Sequence, residues 1–260
     1  MPGKHCKDIC SLISFRLDWL RSGTRQFKVP SRYVEEVKYT LLTIISENQQ
    51  VALRAMHIPD RRDEKIAKRY FDPFIEMFVG KKKVLELASG QGFFLKMLKD
   101  AGIESLGVEV DSSLCHNAKS LGLNVVRANL FDYLKATKDK FDGCFASHIV
   151  EHFLPSDVQE LFRLVHEVIE PGGILIIVTP NIANLRRAVG DFWRDPTHVR
   201  PYPISALNKL LEQTGWSVIK SGYHTDRPFS LRRTMVYYIR NLLIGHYWTG
   251  DDLYVVAERL

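Results

Sequence analysis

The sequence has few cysteines and no long apolar run. Its four cysteines are Cys6, Cys10, Cys115 and Cys144. They form no C-x-x-C pair and no zinc pattern, which excludes a disulfide framework and predicts free thiols in a reducing, cytoplasmic compartment. No stretch approaches the roughly 18–20 apolar residues of a membrane span. Residues 9–20 mix Asp, Arg and Ser into their apolar run, so a signal peptide is not expected.

The main body of the chain carries no excess of positive charge. Residues 84–260 contain 19 Lys and Arg against 20 Asp and Glu, whereas residues 1–83 contain 17 against 10. A nucleic-acid partner is therefore not expected, because it needs a basic face on the folded domain. The basic N-terminal third could contact an acidic partner, lipid headgroups or RNA, or could simply be a solvated helical surface.

The hydrophobic pattern of the chain changes near Lys83. Residues 1–80 read as a helical N-terminal cap, with a helix from about Arg61 to Phe78 that Pro73 should bend or interrupt. Residues 81–260 read as one domain in which short apolar runs alternate with helical patterns. The predicted strands are Val84–Ala88, Leu106–Val110, Leu123–Ala128, Phe141–Ser147, Gly173–Thr179, Trp216–Gly222 and Leu253–Glu258. This alternation predicts an α/β fold with a parallel sheet.

A small-residue turn follows the first predicted strand. Residues 86–92 read Glu-Leu-Ala-Ser-Gly-Gln-Gly and lead into a helix, where free backbone N–H groups can meet a ligand. A dinucleotide fingerprint would place a third glycine at Leu95, so a diphosphate fits poorly. The carboxylate of Glu86, at the strand end, suits a cationic ligand better.

A second acidic residue ends the next strand. Glu109 can accept hydrogen bonds from the two hydroxyls of a ribose. Glu109, Glu86 and the turn together suit a ligand that is a positively charged nucleoside without a diphosphate. S-adenosylmethionine meets that description.

Residues 65–260 resemble the class I S-adenosylmethionine-dependent methyltransferases. Residues 86–92 resemble the first motif of the family, with Ala88 in place of its first glycine, and Gly107-Val108-Glu109 resembles the second. The resemblance implies a Rossmann-like, doubly wound sheet of seven mainly parallel strands whose last strand is antiparallel. It also implies S-adenosyl-L-methionine as cofactor. The implied cofactor-binding residues are Glu86, Ala88, Ser89, Gly90, Gly92, Glu109, Asn129, Leu130 and His148.

A first group of candidate catalytic residues follows the fourth strand. His148, Glu151 and His152 have a spacing that would place them on one face if the segment is helical. A histidine there could act as the base for a hydroxyl acceptor. The same spacing could bind a divalent metal, as in methyltransferases that resemble the quinone-pathway enzymes, although no metal is assigned to the site.

A second candidate is His198, in a long excursion over about residues 181–203. The surrounding segment, residues 192–202, places Trp193 and Tyr202 beside charged residues, a combination that suits a sugar. It resembles a segment of bacterial methyltransferases associated with glycosyltransferases and surface-polysaccharide assembly. The alternative is a capped loop whose aromatic rings pack on the core.

These observations predict O-methylation of a hydroxyl on a saccharide or glycoconjugate. One alternative acceptor is a small metabolite such as a quinone precursor, with or without a metal. Another alternative is a non-catalytic module of the same fold that binds the cofactor or RNA. The amphipathic stretch Arg232–Ile244 could contact a membrane surface, or serve as a lid or core helix. The sequence does not indicate an oligomeric state.

Overall fold

The computed structural model describes residues 64–184, 187–225, 235–236, 238–239 and 250–260. Most of the predicted N-terminal cap therefore lies outside the described residues. Of the predicted helix over 232–244, the four described residues are helical and exposed. None of the described helices is long and apolar enough to cross a membrane.

Helices and strands alternate along the described chain. The helices are α1 Glu64–Met77, α2 Phe93–Asp100, α3 Ser112–Ser120, α4 Leu130–Ala136, α5 Pro155–Val168 and α6 Ile204–Glu212. The strands are β1 Lys83–Leu87, β2 Glu104–Glu109, β3 Val125–Arg127, β4 Phe141–Ser147, β5 Ile169–Pro180, β6 Trp216–His224 and β7 Asp252–Arg259. Short 3₁₀ turns occupy Val150–His152 and Phe192–Arg194, and a π-helical stretch runs over Arg187–Asp191.

The seven strands form one sheet in the order β3-β2-β1-β4-β5-β7-β6. The pairs formed among β1 to β5 are parallel, whereas β7 is antiparallel to both β5 and β6. The predicted α/β, Rossmann-like, doubly wound sheet with an antiparallel last strand is confirmed. The strand order reverses between β1 and β4, and such a reversal opens a crevice beyond the carboxyl ends of the strands.

Apolar clusters cover both faces of the sheet. One face carries Leu85 and Ile177, packed with residues of α5 and α6. The other face carries Val84 and Phe145, against which α1 and α2 pack. Two covered faces explain why β5 contains a continuous apolar run, since alternation is expected only where one face meets water.

Of the bend or interruption predicted at Pro73, the interruption is absent, since helix α1 runs through this residue. The proline removes one backbone donor and crowds the preceding turn, which costs about 3 kcal/mol in a helix interior. Phe74 and Phe78, which directly follow, are buried against the sheet. Each such ring contributes about 1.5–3 kcal/mol through burial, which offsets the cost and keeps α1 in place.

Candidate functional site

The glycine turn leaves the carboxyl end of β1 in a left-handed conformation. Ala88, Gly90 and Gly92 have φ angles of 54°, 54° and 79°. A Cβ at Gly92 would lie 2.6 Å from a methyl group of Leu123, so only glycine fits there. Ala88 accepts a strain of about 1–2 kcal/mol that glycine would avoid. The turn thus exposes backbone rather than side chains to the crevice.

Glu109 joins this turn to the end of β2. Its carboxylate is 7% exposed; Oε2 accepts a hydrogen bond from the Gly90 N–H at 2.8 Å and Oε1 from the Asp111 N–H at 2.8 Å. A carboxylate offers about four acceptor positions, so both oxygens keep capacity for further donors. The residue therefore shapes the turn and retains acceptors that a ribose diol could use.

Glu86 and Ser89 supply polar atoms that lack a protein partner. Glu86 is 6% exposed, and neither its Oε2 nor the Oγ of Ser89 has a hydrogen-bond partner. Burial, reinforced by the nearby charge of Glu109, raises the pKa of Glu86 well above its usual value. Buried polar groups are normally paired, so these atoms fit a ligand that brings donors and positive charge. The residues present therefore fit an adenosyl sulfonium.

Asn129 lies at the start of α4, a helix that the sequence pattern did not single out. Its Oδ1 accepts a hydrogen bond from the Phe131 N–H at 2.9 Å and caps the helix. Its amide nitrogen is the group left to contact an adenine. Leu130 packs its half-buried side chain against the core cluster under the sheet.

His148 directly follows β4 in a left-handed conformation, with φ 52°. Its Nδ1 lies 3.2 Å from Oε1 of Glu151, and its Nε2 lies 3.0 Å from the hydroxyl of Tyr70. That hydroxyl donates to Oδ2 of Asp252 at 3.0 Å, so Nε2 is left to donate to the hydroxyl oxygen. Burial opposes the ring charge, but Asp252 and then Glu151 outweigh it and raise the pKa of His148 to about 10. These neighbours favour the protonated ring, and both ring nitrogens lie within hydrogen-bond distance of oxygen atoms.

Glu151 connects His148 to the excursion. Its fully buried carboxylate also accepts from the Thr179 hydroxyl at 3.0 Å, and its carbonyl accepts from the Val199 N–H at 2.9 Å. Burial would raise the pKa of Glu151, but the hydrogen bond and charge of His148 lower it. Glu151 is therefore a buried carboxylate that stays ionised.

His152 and His198 face each other with ring centroids 4.8 Å apart. Nδ1 of His152 lies 3.2 Å from the carbonyl oxygen of Thr197, and Nδ1 of His198 lies 2.6 Å from that of Phe192. A carbonyl only accepts, so each Nδ1 carries a proton, and the lone pair of the neutral ring then lies on Nε2. Burial is the main factor that lowers the pKa of His152, which favours this neutral form.

Glu151, His152 and His198 each offer one ligand atom, and these atoms lie within 4.8 Å of one another. This grouping differs from the face predicted for His148, Glu151 and His152. The segment makes only one 3₁₀ turn, and His148 lies before it in a left-handed conformation. As a result His148 turns to Tyr70, whereas His152 turns to His198.

The aromatic residues of the excursion divide between core and surface. Tyr202 is 1% exposed, and its hydroxyl donates to the carbonyl of Phe153 at 2.8 Å. Phe192 is buried too, whereas Trp193 is 62% exposed. Trp193 is therefore the ring of this segment that remains open to stack on a sugar.

Sequence reasoning did not single out Thr179 and Asp252. Thr179 is a polar residue at the end of the apolar run of β5, and Asp252 begins β7 beside Asp251. A buried strand that ends in a polar or charged residue is a usable signal. Their contacts with Glu151 and Tyr70 depend on tertiary structure, however, and no local pattern predicts them.

Comparison with known proteins agrees with this geometry. A family model described as a methyltransferase domain matches residues 58–221. The mitochondrial ubiquinone biosynthesis O-methyltransferase of Homo sapiens is 27% identical over an alignment of 169 residues. The alignment covers 57% of this chain and 45% of that protein. The chain thus spans less than half the length of this relative. An uncharacterized methyltransferase of Synechocystis is 26% identical over 68% of this chain and 76% of its own.

Solved structures give the same result. A SAM-dependent methyltransferase from Archaeoglobus fulgidus superposes with a TM-score of 0.65 and 26% identity, over 76% of this chain and 96% of its own. Magnesium protoporphyrin IX methyltransferase from Synechocystis, solved with bound SAM, shares the fold at a TM-score of 0.53 and 11% identity, over 83% and 91% of the two chains. The family match, the sheet order and the acidic residues flanking the glycine turn agree, and the chain belongs to the class I S-adenosylmethionine-dependent methyltransferases.

Proposed function

We propose that this protein methylates a hydroxyl oxygen of a small phenol-type metabolite such as a quinone precursor. The grouping of Glu151, His152 and His198 carries this proposal. Glu151 and His152 follow β4 and His198 follows the parallel strand β5, so all three lie at the carboxyl edge of the sheet to which the glycine turn also belongs. The similarity to an enzyme named for O-methylation in ubiquinone biosynthesis supports the same acceptor class.

The two histidines supply what a hydroxyl acceptor needs. S-adenosylmethionine brings an already activated methyl group, so the protein has to align the acceptor and take its proton. Alignment alone can lower a barrier by about 7–11 kcal/mol. Nε2 of His152 or His198 can accept the hydroxyl proton, which adds about 10²–10⁴-fold.

The same three side chains form a suitable donor set for a divalent cation. Each Nδ1–H is held by a backbone carbonyl, as is usual for histidines that bind a metal through Nε2. Glu151 would add a carboxylate oxygen. A cation held there would occupy the Nε2 lone pairs and would acidify a bound hydroxyl, so the metal would take the place of the histidine base in the same chemistry.

The test measures release of S-adenosylhomocysteine with a panel of dihydric phenols and a panel of saccharides, with and without EDTA. We expect turnover on phenols that EDTA abolishes and added divalent cations restore. His152→Gln should lower turnover, whereas His116→Gln, at an exposed position of α3, should not. Turnover on saccharides alone would refute the phenol proposal, and phenol turnover insensitive to EDTA would refute the metal.

A saccharide hydroxyl is the second candidate acceptor. Its specific support is Trp193, an exposed ring beside the exposed side chain of Arg194. An open aromatic face can stack on a sugar while a neighbouring cation binds its hydroxyls or acidic groups. If a glycan is the acceptor, Trp193→Ala should raise the KM for that glycan at least tenfold and leave the affinity for S-adenosylhomocysteine unchanged.

A further inference from the structure

The hydroxyl of Tyr70 joins three segments that are far apart in the chain. Tyr70 belongs to α1, and its hydroxyl lies 3.0 Å from Nε2 of His148, just after β4. The same hydroxyl donates at 3.0 Å to Oδ2 of Asp252, the first residue of β7. Asp252 is buried and its Oδ2 also lies 3.7 Å from Nε2 of His148. The side chain of Tyr70 therefore connects α1 to the end of β4 and to the start of β7.

His148 depends on this arrangement because its backbone is strained. A residue other than glycine with φ 52° costs about 1–3 kcal/mol and persists only where its surroundings hold it. Glu151 holds the ring at Nδ1 and Tyr70 holds it at Nε2. The His148 N–H donates to the carbonyl of Val178 at 2.9 Å and fixes the backbone of the same residue.

The turn at His148 faces the crevice of the sheet. Strand β4 pairs with β1, and Ala146 lies beside Leu87 in their register. Ala88 directly follows β1 and His148 directly follows β4, so both lie next to the point where the strand order reverses. Ligands of open α/β sheets bind at this point. A shift of His148 would move the wall opposite the glycine turn.

We propose that Tyr70 and Asp252 are positioning residues for S-adenosylmethionine, which act through His148 to hold the β4 turn in its binding shape. This inference rests on the proposed function only in placing the cofactor in the crevice between β1 and β4. It assigns no chemical step to either residue.

The hydroxyl of Tyr70 can be removed without removing its ring. The ring makes edge contacts with Phe71 at 4.9 Å and with His224 at 4.7 Å between centroids. Tyr70→Phe keeps these contacts, and so keeps the packing of α1. It deletes the hydrogen bonds of the hydroxyl to His148 and Asp252 and its side-chain contact with Ser147.

The test is a double-mutant cycle on the affinity for S-adenosylhomocysteine, measured by calorimetry on Tyr70→Phe, His148→Gly and the double variant. Tyr70→Phe should weaken S-adenosylhomocysteine binding about fivefold, because the variant loses the hydrogen bond that holds His148. Glycine adopts φ 52° without strain and has no ring to hold, so Tyr70→Phe should change affinity less than about 1.5-fold in the His148→Gly background. Asp252→Asn should weaken binding only when His148 is present.

Tyr133→Phe is the matched control, since Tyr133 lies in α4 and contacts Thr137 rather than the crevice. It should leave affinity unchanged, and thermal unfolding should show that every variant is folded. Equal weakening by Tyr70→Phe in both backgrounds would overturn the proposal, as would unchanged affinity in the folded single variant. Absence of binding by the wild-type protein would instead contradict the proposed function.

Discussion

The carboxyl edge of the sheet has two halves that are built in different ways. The cofactor half comes from one continuous stretch, residues 86–109, and its shape is set by backbone groups that Glu109 binds. The proposed acceptor half combines Glu151 and His152 with residues 195–202, and backbone carbonyls of the excursion orient its histidines. The first half therefore depends on local conformation, and the second depends on how distant segments pack.

This difference predicts that a substitution in one half can impair its function without affecting the other half. Substitution of His198 should have the largest effect, on turnover. His198→Gln removes an Nε2 lone pair from the acceptor half. We expect turnover to fall about 10²–10⁴-fold, the usual contribution of a positioned base. Affinity for S-adenosylhomocysteine, measured by calorimetry, should stay within twofold of the wild-type value. Weaker cofactor binding in this variant would show that the halves are coupled.

Glu109 should show the opposite behaviour. Glu109→Ala leaves the Gly90 and Asp111 N–H groups without their acceptor and removes the carboxylate predicted to bind the ribose. Hydrogen bonds to charged groups contribute about 1.5–3 kcal/mol each, so affinity for S-adenosylhomocysteine should fall about 30-fold or more.

Glu104→Ala is the control for this prediction, because Glu104 begins the same strand with a largely exposed side chain. Calorimetry on both variants makes the comparison. A Glu109→Ala protein that binds as tightly as the wild type would refute the assignment of the cofactor half.

The sequence predicts the cofactor half better than the acceptor half, for a physical reason. The strand, the small-residue turn and the acid of the next strand are near in the chain, and parallel strands bring their ends together automatically. Glu86, Glu109 and the turn could therefore be found from spacing alone. The cofactor role of Asn129 comes from the family resemblance and stays a prediction, whereas the helix cap that this residue forms was not predicted.

The acceptor half depends on contacts that no spacing encodes. His152 and His198 meet only because the excursion folds back on the 3₁₀ turn after β4. Prediction of a helical face for His148, Glu151 and His152 did not anticipate the left-handed backbone at His148. The sequence left open whether Trp193 and Tyr202 contact a sugar or pack on the core, and tertiary packing buries Tyr202 and leaves Trp193 exposed.

Tyr202 tests whether packing holds the acceptor half together. Tyr202→Phe leaves the carbonyl of Phe153 without its donor in a partly buried position, which should cost about 1–2 kcal/mol of unfolding free energy. For a chain of this size the melting temperature should fall by about 2–6 °C. Thermal unfolding measures this, and Tyr133→Phe, which deletes only a long 3.4 Å contact with Thr137, should change it less. A Tyr202→Phe protein as stable as the wild type would indicate that the excursion is held mainly by its other contacts.

The smallest effect should come from Ala88, where the cofactor half departs from the glycine of its family motif. Ala88→Gly relieves about 1–2 kcal/mol of left-handed strain, and the greater freedom of glycine in the unfolded chain cancels about 0.5–1 kcal/mol of that gain. Thermal unfolding should therefore show a slight stabilisation. Ala101→Gly is the matched control, because Ala101 has a φ of −82° and glycine there can only destabilise. Affinity for S-adenosylhomocysteine should not change with Ala88→Gly, since glycine adopts the same backbone shape. If affinity does change, the methyl group of Ala88 itself contributes to the site, and the cofactor half is not defined by its backbone alone.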